Sequence, residues 1–187
     1  MKRFILCIFL LFLVPCLLYA KEISPKILLF ISEQNIEGPQ HVWWLSEIDL
    51  STTETNIANR LIEQGYEILE PSSVTKVIKQ RPAFRRLDLS EGESIRLGNL
   101  SGANYVILGK AVASAGSKVP QSNMRSCFAN LSAKLIRVKD GKVIAYLDAS
   151  GNSVHMDVIT GGKEALSNAA NALAVKIIAA LSKEGGS

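Results

Sequence analysis

Two strand patterns that meet at a turn, between residues 131 and 151, constrain the fold of this chain more than any other feature. The turn contains Asp140 and Gly141, a pair that favours a tight reversal between strands. We predict a three-residue loop that begins at Lys139, with Gly141 in the left-handed conformation, because the resulting register needs no bulge. A two-residue loop of Asp140 and Gly141 is the alternative, and it would require a bulge in the first strand.

The predicted register pairs Val138 with Lys142 and gives the hairpin two unlike faces. One face is apolar and therefore requires a helix to cover it. Its members are Leu131, Ala133, Leu135, Val143, Ala145, Leu147 and Ala149. The opposite face mixes charged, aromatic and aliphatic side chains, so we expect water to reach it. Lys134, Ile144 and Tyr146 on that face are our candidates for contact with a partner.

The other patterns predict a single α/β (α+β) domain. A continuous apolar run at 26–34 is typical of a strand covered on both faces. Two capping boxes, Ser51 with Glu54 and Ser90 with Glu93, predict the starts of two helices. Further patterns predict a strand at 66–70, a helix with Val74, Val77 and Ile78, a central strand with its core at 105–108, and a long C-terminal helix. The predicted order is β-α-β-α-α-β-β-β-α, a mixed sheet of four to five strands with helices packed on it.

The first 20 residues have the organisation of a secretory signal peptide. A basic start at Lys2 precedes an apolar run that is shorter than a membrane span, and a small residue, Ala20, follows. We predict cleavage after Ala20, which leaves one periplasmic domain at 21–187 with its core at about 26–181. The rival hypothesis is a lipoprotein signal with Cys16 as the acylated residue. Pro15 argues against it, because the lipobox has Gly, Ala or Ser there.

Charge and cysteine content exclude two further classes of protein. The formal net charge of +4 falls to +2 when Lys2 and Arg3 leave with the signal peptide. This balance argues against nucleic acid as a partner, because nucleic-acid-binding proteins concentrate basic residues on one face. The basic cluster at 79–86 fits a solvated loop. Cys127 is the only cysteine beyond the leader, so no internal disulfide can form, and we expect it to be a small buried residue.

The sequence shows no pattern for catalysis, a cofactor or a metal. His155 and Asp157 are two residues apart and would share a strand face, but a zinc site usually takes three or four ligands. The segment 160–165 holds a glycine pair at a helix start, where free N–H groups could bind an anion. Helix capping alone explains that segment. We therefore predict a protein that is not an enzyme and has no cofactor or metal.

Trp43 and Trp44 are adjacent tryptophans in a predicted loop. Such a pair either fills a small core beneath the loop or forms an exposed contact patch, because an indole ring is large and mostly apolar. Both interpretations stay open, so Trp43 and Trp44 are also candidates for contact with a partner.

Three segments occur in the order found in a known periplasmic module. They are the strand KILLFIS at 26–32, the segment GANYVILGKA at 102–111, and the hairpin AKLIRVKDGKVIA at 133–145, which an amphipathic helix follows. Together they resemble the middle domain of flagellar assembly protein T. They are also similar to the amino-terminal domain of TolB, the curli secretion subunit CsgG and the lipoprotein activators of penicillin-binding proteins. The resemblance covers about 26–181, although the usual proline near the end of the first strand is absent.

This resemblance implies a secreted envelope protein that binds other proteins, without catalytic residues or a cofactor. A role in flagellar assembly is the first expectation. The alternative is a lipid-anchored regulator of a cell-wall synthase or secretion apparatus, associated with the outer membrane, and a domain that binds a small ligand or anion is a third possibility. We expect contact with a membrane only if Cys16 is acylated. The sequence leaves the oligomeric state open.

Overall fold

The computed structural model describes residues 24–37, 51–69 and 90–186. Within them the strands are β1 (Lys26–Gln34), β2 (Glu67–Ile68), β3 (Tyr105–Lys118), β4 (Arg125–Arg137) and β5 (Val143–His155). The helices are α1 (Thr52–Glu63), α2 (Glu91–Ser101) and α3 (Val158–Gly185). The predicted helix with Val74, the leader with Cys16, and the loop with Trp43 and Trp44 lie outside the described residues.

One mixed sheet contains these strands, in the order β2-β1-β3-β4-β5. β1 pairs in parallel with both β2 and β3. β4 pairs antiparallel with β3 and with β5. The sheet is therefore parallel at one edge and an antiparallel meander of three long strands at the other. This arrangement confirms the predicted α/β (α+β) class with a mixed sheet and packed helices.

Both predicted capping boxes are present at the starts of α1 and α2. The Ser51 side chain accepts the N–H of Glu54, and the Glu54 carboxylate accepts the N–H of Ser51. Ser90 and Glu93 make the same reciprocal pair of bonds. Two orphan N–H groups of each helix are satisfied in this way, which is why local sequence suffices to locate these helix starts.

The helices cover the two faces of the sheet unequally. α1 and α3 cover one face, and the buried residues of α3 there are Gly161, Gly162, Ala165, Leu166, Ala169, Ala170, Leu173, Ala174, Ile177 and Leu181. By length and composition α3 could cross a membrane, but this buried stripe makes it a core helix. On the other face, Leu97 of α2 packs with Leu28, Phe30 and Val106 in a smaller core.

Two buried glutamates join β1 to α1. The Glu54 carboxylate accepts the N–H of Ile31 at 3.0 Å, and the Glu33 carboxylate accepts the N–H of Thr53 at 2.7 Å. β1 pairs with β2 at only its first two residues. At Ile31, further along β1, the Glu54 carboxylate accepts the N–H that a neighbouring strand would otherwise bind. The Glu54 side chain therefore serves both the helix cap and the sheet.

The hairpin of β4 and β5 contains a bulge that the prediction lacked. Leu135 pairs with Ala145, as in the predicted register, but Ile136 pairs with Val143, so Ile144 is the extra residue of the bulge. Ile144 consequently packs against the core beneath α3. The expectation that Ile144 lies on the exposed face of the hairpin is therefore wrong, as is the place of Val143 in the apolar row.

The bulge has its cause outside the hairpin. The N–H of Val138 donates to the carbonyl of Asn104 at 3.0 Å, and the Val138 side chain is buried in the smaller core with α2. The predicted pair of Val138 with Lys142 is wrong, because the Lys142 carbonyl accepts the N–H of Arg137 instead, at 2.9 Å. Four residues, 138–141, therefore lie between the bonded residues Arg137 and Lys142, in place of the predicted three-residue loop. Gly141 has the predicted left-handed conformation with a φ of 70°.

Candidate functional site

The long strands β3, β4 and β5 leave most of one sheet face without a covering helix among the described residues. α2 covers only the end of this face near Val106 and Val138. Because side chains alternate along a strand, every second residue beyond that end points away from α3. We call these exposed residues the open face: Lys110, Val112, Ser114, Phe128, Asn130, Ser132, Tyr146, Asp148, Ser150, Asn152 and Val154.

Lys134 and Tyr146 lie together at one corner of the open face. They are opposite each other in the register of β4 and β5. The Lys134 Nζ atom is 5.3 Å from the centroid of the Tyr146 ring and 3.2 Å from Glu91 Oε2. A cation over an exposed ring contributes about 0.5–1 kcal/mol, enough to bias the orientation of the ring. Tyr146 is 71% exposed, so its ring is accessible, and contact with a partner stays a prediction.

Phe128 and Val154 are apolar residues of the open face that the sequence reasoning missed. They are 46% and 49% exposed, respectively. The Phe128 ring lies against the backbone at Gly116, where an added Cβ would be 2.5 Å from a ring carbon. The signal that could have identified Phe128 is its position between Cys127 and Ala129, which are both buried on the other face.

Small polar side chains separate the two apolar ends of the open face. Shallow depressions between β3, β4 and β5 are lined there by Ser114, Asn130, Ser132, Ser150 and Asn152. Lys110 and Asp148 belong to the same row of the sheet, so their opposite charges offset each other. The surface therefore offers hydrogen-bond donors and acceptors without an excess of charge, and an aromatic ring at each end.

His155 and Asp157 connect β5 to α3. The Asp157 carboxylate accepts the hydroxyl of Thr160 at 2.6 Å and its N–H at 2.8 Å, and these bonds hold the pKa of Asp157 below its usual value. The N–H of Asp157 donates to His155 Nδ1 at 3.0 Å. Asp157 is thus the N-cap of α3. No group of three or more potential metal ligands occurs in the part of the chain that the structure describes.

The glycine pair Gly161 and Gly162 permits close packing at the start of α3. A Cβ on Gly161 would lie 2.6 Å from the Cys127 sulfur, and a Cβ on Gly162 would collide with Asn35 Oδ1. Capping alone is therefore an incomplete explanation of this segment, and nothing in its contacts favours an anion site. Cys127 is fully buried, which confirms the prediction of a small core residue.

No family model matches the chain, and no curated protein sequence is significantly similar to it. Among solved structures it is similar to lipoprotein GNA1162 from Neisseria meningitidis, at 15% identity over 88% of this chain and 100% of that one, with a TM-score of 0.45. It is also similar to the LpoB C-terminal domain from Salmonella enterica, at 15% identity over 75% and 90% of the two chains, with a TM-score of 0.40. For the hypothetical protein CT253 from Chlamydia trachomatis the identity is 9% over 84% and 95%, with a TM-score of 0.49.

Of these three proteins, GNA1162 is named as a lipoprotein. The contact candidates Trp43 and Trp44 and the lipidation candidate Cys16 stay predictions, because they lie outside the described residues.

Proposed function

We propose that this chain is a non-enzymatic protein of the bacterial envelope that binds another protein through the open face. The observation that carries the proposal is the composition of this surface, which no helix covers among the described residues. The aromatic residues Tyr146 and Phe128 lie at its ends, and most of the residues between them are neutral and polar, with one pair of opposite charges, Lys110 and Asp148. The centres of protein interfaces are depleted in charged residues and enriched in aromatic ones.

The partner that we propose is a cell-wall synthase, with this chain as its regulator. Support comes from the sequence resemblance to the lipoprotein activators of penicillin-binding proteins. A flagellar partner, the first expectation from the sequence, lacks support from the similar structures reported above. Export through the N-terminal leader belongs to the proposal, and so does the option of a lipid anchor at Cys16.

Site-specific photo-crosslinking in living cells tests the proposal. A photoreactive amino acid replaces Tyr146 on the open face, and the matched control replaces Val175, which is 65% exposed on α3. We expect Tyr146 to capture a cell-wall synthase and Val175 to capture none. Equal capture from the two positions would contradict the role of the open face, and capture of flagellar proteins from Tyr146 would contradict the proposed partner.

The intact mass of the exported protein distinguishes the two leaders. Cleavage after Ala20 yields an unmodified chain that begins at Lys21, whereas acylation yields a diacylated or triacylated chain that begins at Cys16. The lipid anchor must be dropped if the unmodified mass is found, and the partner proposal is unaffected by that result.

A further inference from the structure

The outer edge of β5 is long for an edge strand. Among the residues that the structure describes, β5 has 13 residues and is the last strand on the antiparallel side of the sheet, whereas β2 at the opposite edge has two residues. An edge strand presents backbone N–H and C=O groups without a strand partner, and proteins usually keep such edges short or cover them. The length of β5 therefore marks its edge as a surface for strand pairing.

Alternate residues of β5 direct their backbone groups away from β4. The carbonyls of Asp148 and Asn152 identify the outward set, because they accept bonds from two side chains of α3, Lys176 Nζ at 2.6 Å and Asn168 Nδ2 at 3.0 Å. The outward residues are therefore the even-numbered ones. They are Tyr146, Asp148, Ser150, Asn152 and Val154, and all five are exposed.

If the β5 strands of two copies are placed antiparallel about Ser150, these five residues in one copy are complementary to the same five in the other. Ser150 then faces its own counterpart in the second copy, Asp148 faces Asn152, and Tyr146 faces Val154. Each pair is favourable across strands, since it joins two hydroxyls, a carboxylate with an amide, or an aromatic ring with a β-branched side chain. No like charges are opposed. Tyr146 and Val154, which are 71% and 49% exposed, would then be side-by-side neighbours on the joined open face.

We propose that the outer edge of β5 pairs with the same edge of a second copy of this chain, antiparallel and centred on Ser150. The pairing has two-fold symmetry and joins the two sheets, so that the open faces become one surface. Lys176 and Asn168 approach from the α3 side, and a carbonyl oxygen accepts two hydrogen bonds, so their contacts are compatible with the pairing. This inference goes beyond the proposed function and does not depend on it.

Cysteine cross-linking of the exported chain tests the register. In a hydrogen-bonded antiparallel pair the opposed Cα atoms are about 5.5 Å apart, within reach of a disulfide. Ser150→Cys should therefore form a covalent dimer under mild oxidation, and Cys127 does not compete because it is buried. In the controls Asp148→Cys and Asn152→Cys, equivalent residues of the two copies are more than about 10 Å apart, so each alone should cross-link at least about tenfold less. An equal mixture of the two controls should cross-link.

A proline at the same position tests the pairing without a cysteine. Ser150→Pro removes an N–H that points away from β4, and proline is tolerated on edge strands for this reason. We expect its circular dichroism to be native and its dimer fraction in sedimentation equilibrium to fall at least about tenfold, while Ser150→Ala keeps the dimer.

Three results would overturn the proposal. The first is a wild-type chain that remains monomeric at about 1 mM, which would place the Kd of the dimer well above that concentration. The second is equal cross-linking of the three single-cysteine variants. The third is disulfide capture of a different protein at Ser150→Cys in cells, in place of a second copy.

Discussion

Replacing Glu54 by alanine removes the carboxylate that joins α1 to β1. Glu54 is 3% exposed, and its oxygens accept the N–H of Ile31 at 3.0 Å and the N–H of Ser51 at 3.3 Å. Ser51 is the N-cap of α1, where the first N–H groups have no partner within the helix, and β2 pairs with β1 only at Lys26 and Ile27. The substitution therefore leaves two buried N–H groups without this acceptor.

The expected loss of stability follows from these two contacts. A buried N–H that loses its acceptor costs about 1–3 kcal/mol. Loss of the reciprocal capping bond at Ser51 costs about a further 1 kcal/mol, within the range measured for helix caps. We expect Glu54→Ala to lower the free energy of unfolding by about 2–4 kcal/mol. Glu93→Ala is the matched control, because Glu93 makes the equivalent capping box at Ser90, where we expect a loss of about 1 kcal/mol.

Urea unfolding followed by far-ultraviolet circular dichroism measures both losses on the exported chain at neutral pH. With a denaturant slope of about 2 kcal/mol per molar urea, Glu54→Ala should lower the midpoint by about 1–2 M, and Glu93→Ala by about 0.5 M. Glu54→Gln keeps one acceptor oxygen and should fall between the wild type and Glu54→Ala. If Glu54→Ala and Glu93→Ala lower the midpoint equally, the bond from Ile31 to Glu54 contributes nothing and the reasoning fails.

Two further predictions concern the hairpin turn and the packing of α3. The side chain of Arg137 lowers the pKa of Asp140 from its ordinary 3.8 to about 2, so the contact stabilises the fold above about pH 4 and is lost as the pH falls to about 2. We expect the Tm of the wild type to fall more steeply over that interval than the Tm of Asp140→Asn, and parallel curves would exclude this contribution. Gly151→Ala should destabilise by about 3 kcal/mol, because its Cβ would collide with α3 and lie 2.5 Å from the Ala169 nitrogen. Gly92→Ala has no atom within 4 Å of the new Cβ and should stabilise by about 0.5–1 kcal/mol, so equal urea midpoints for the two variants would refute close packing at Gly151.

Local patterns predicted the elements whose bonds join near neighbours. The helix starts at Ser51 and Ser90, the left-handed Gly141 and the strand at Lys26–Gln34 follow from a few adjacent residues, because capping and turn geometry involve groups within one turn of chain. The pairing of Leu135 with Ala145 also follows, since period-two alternation identifies the face that must be buried.

The candidate site was predicted only in part. Lys134 and Tyr146 meet as the alternation of β4 and β5 requires. Phe128 was missed. Its position between the buried residues Cys127 and Ala129 places it on the opposite face of the sheet, but the local sequence does not say whether a helix covers that face. Ile144 was misplaced, because the bulge that turns it toward α3 originates in contacts far along the chain.

By itself, then, the sequence determined the mixed α/β class, the helix caps and the apolar row of the hairpin apart from Val143. Tertiary structure decided the bulge, through the burial of Val138 beneath α2 and its bond to Asn104. Tertiary structure also explains why Gly161 and Gly162 are glycines, because α3 packs there against Cys127 of β4 and against Asn35, just after β1, too closely for a Cβ atom. The physical reason is the range of the interactions: caps and alternation are set within a few residues, whereas packing joins segments that are 30 or more residues apart, such as Cys127 and Gly161.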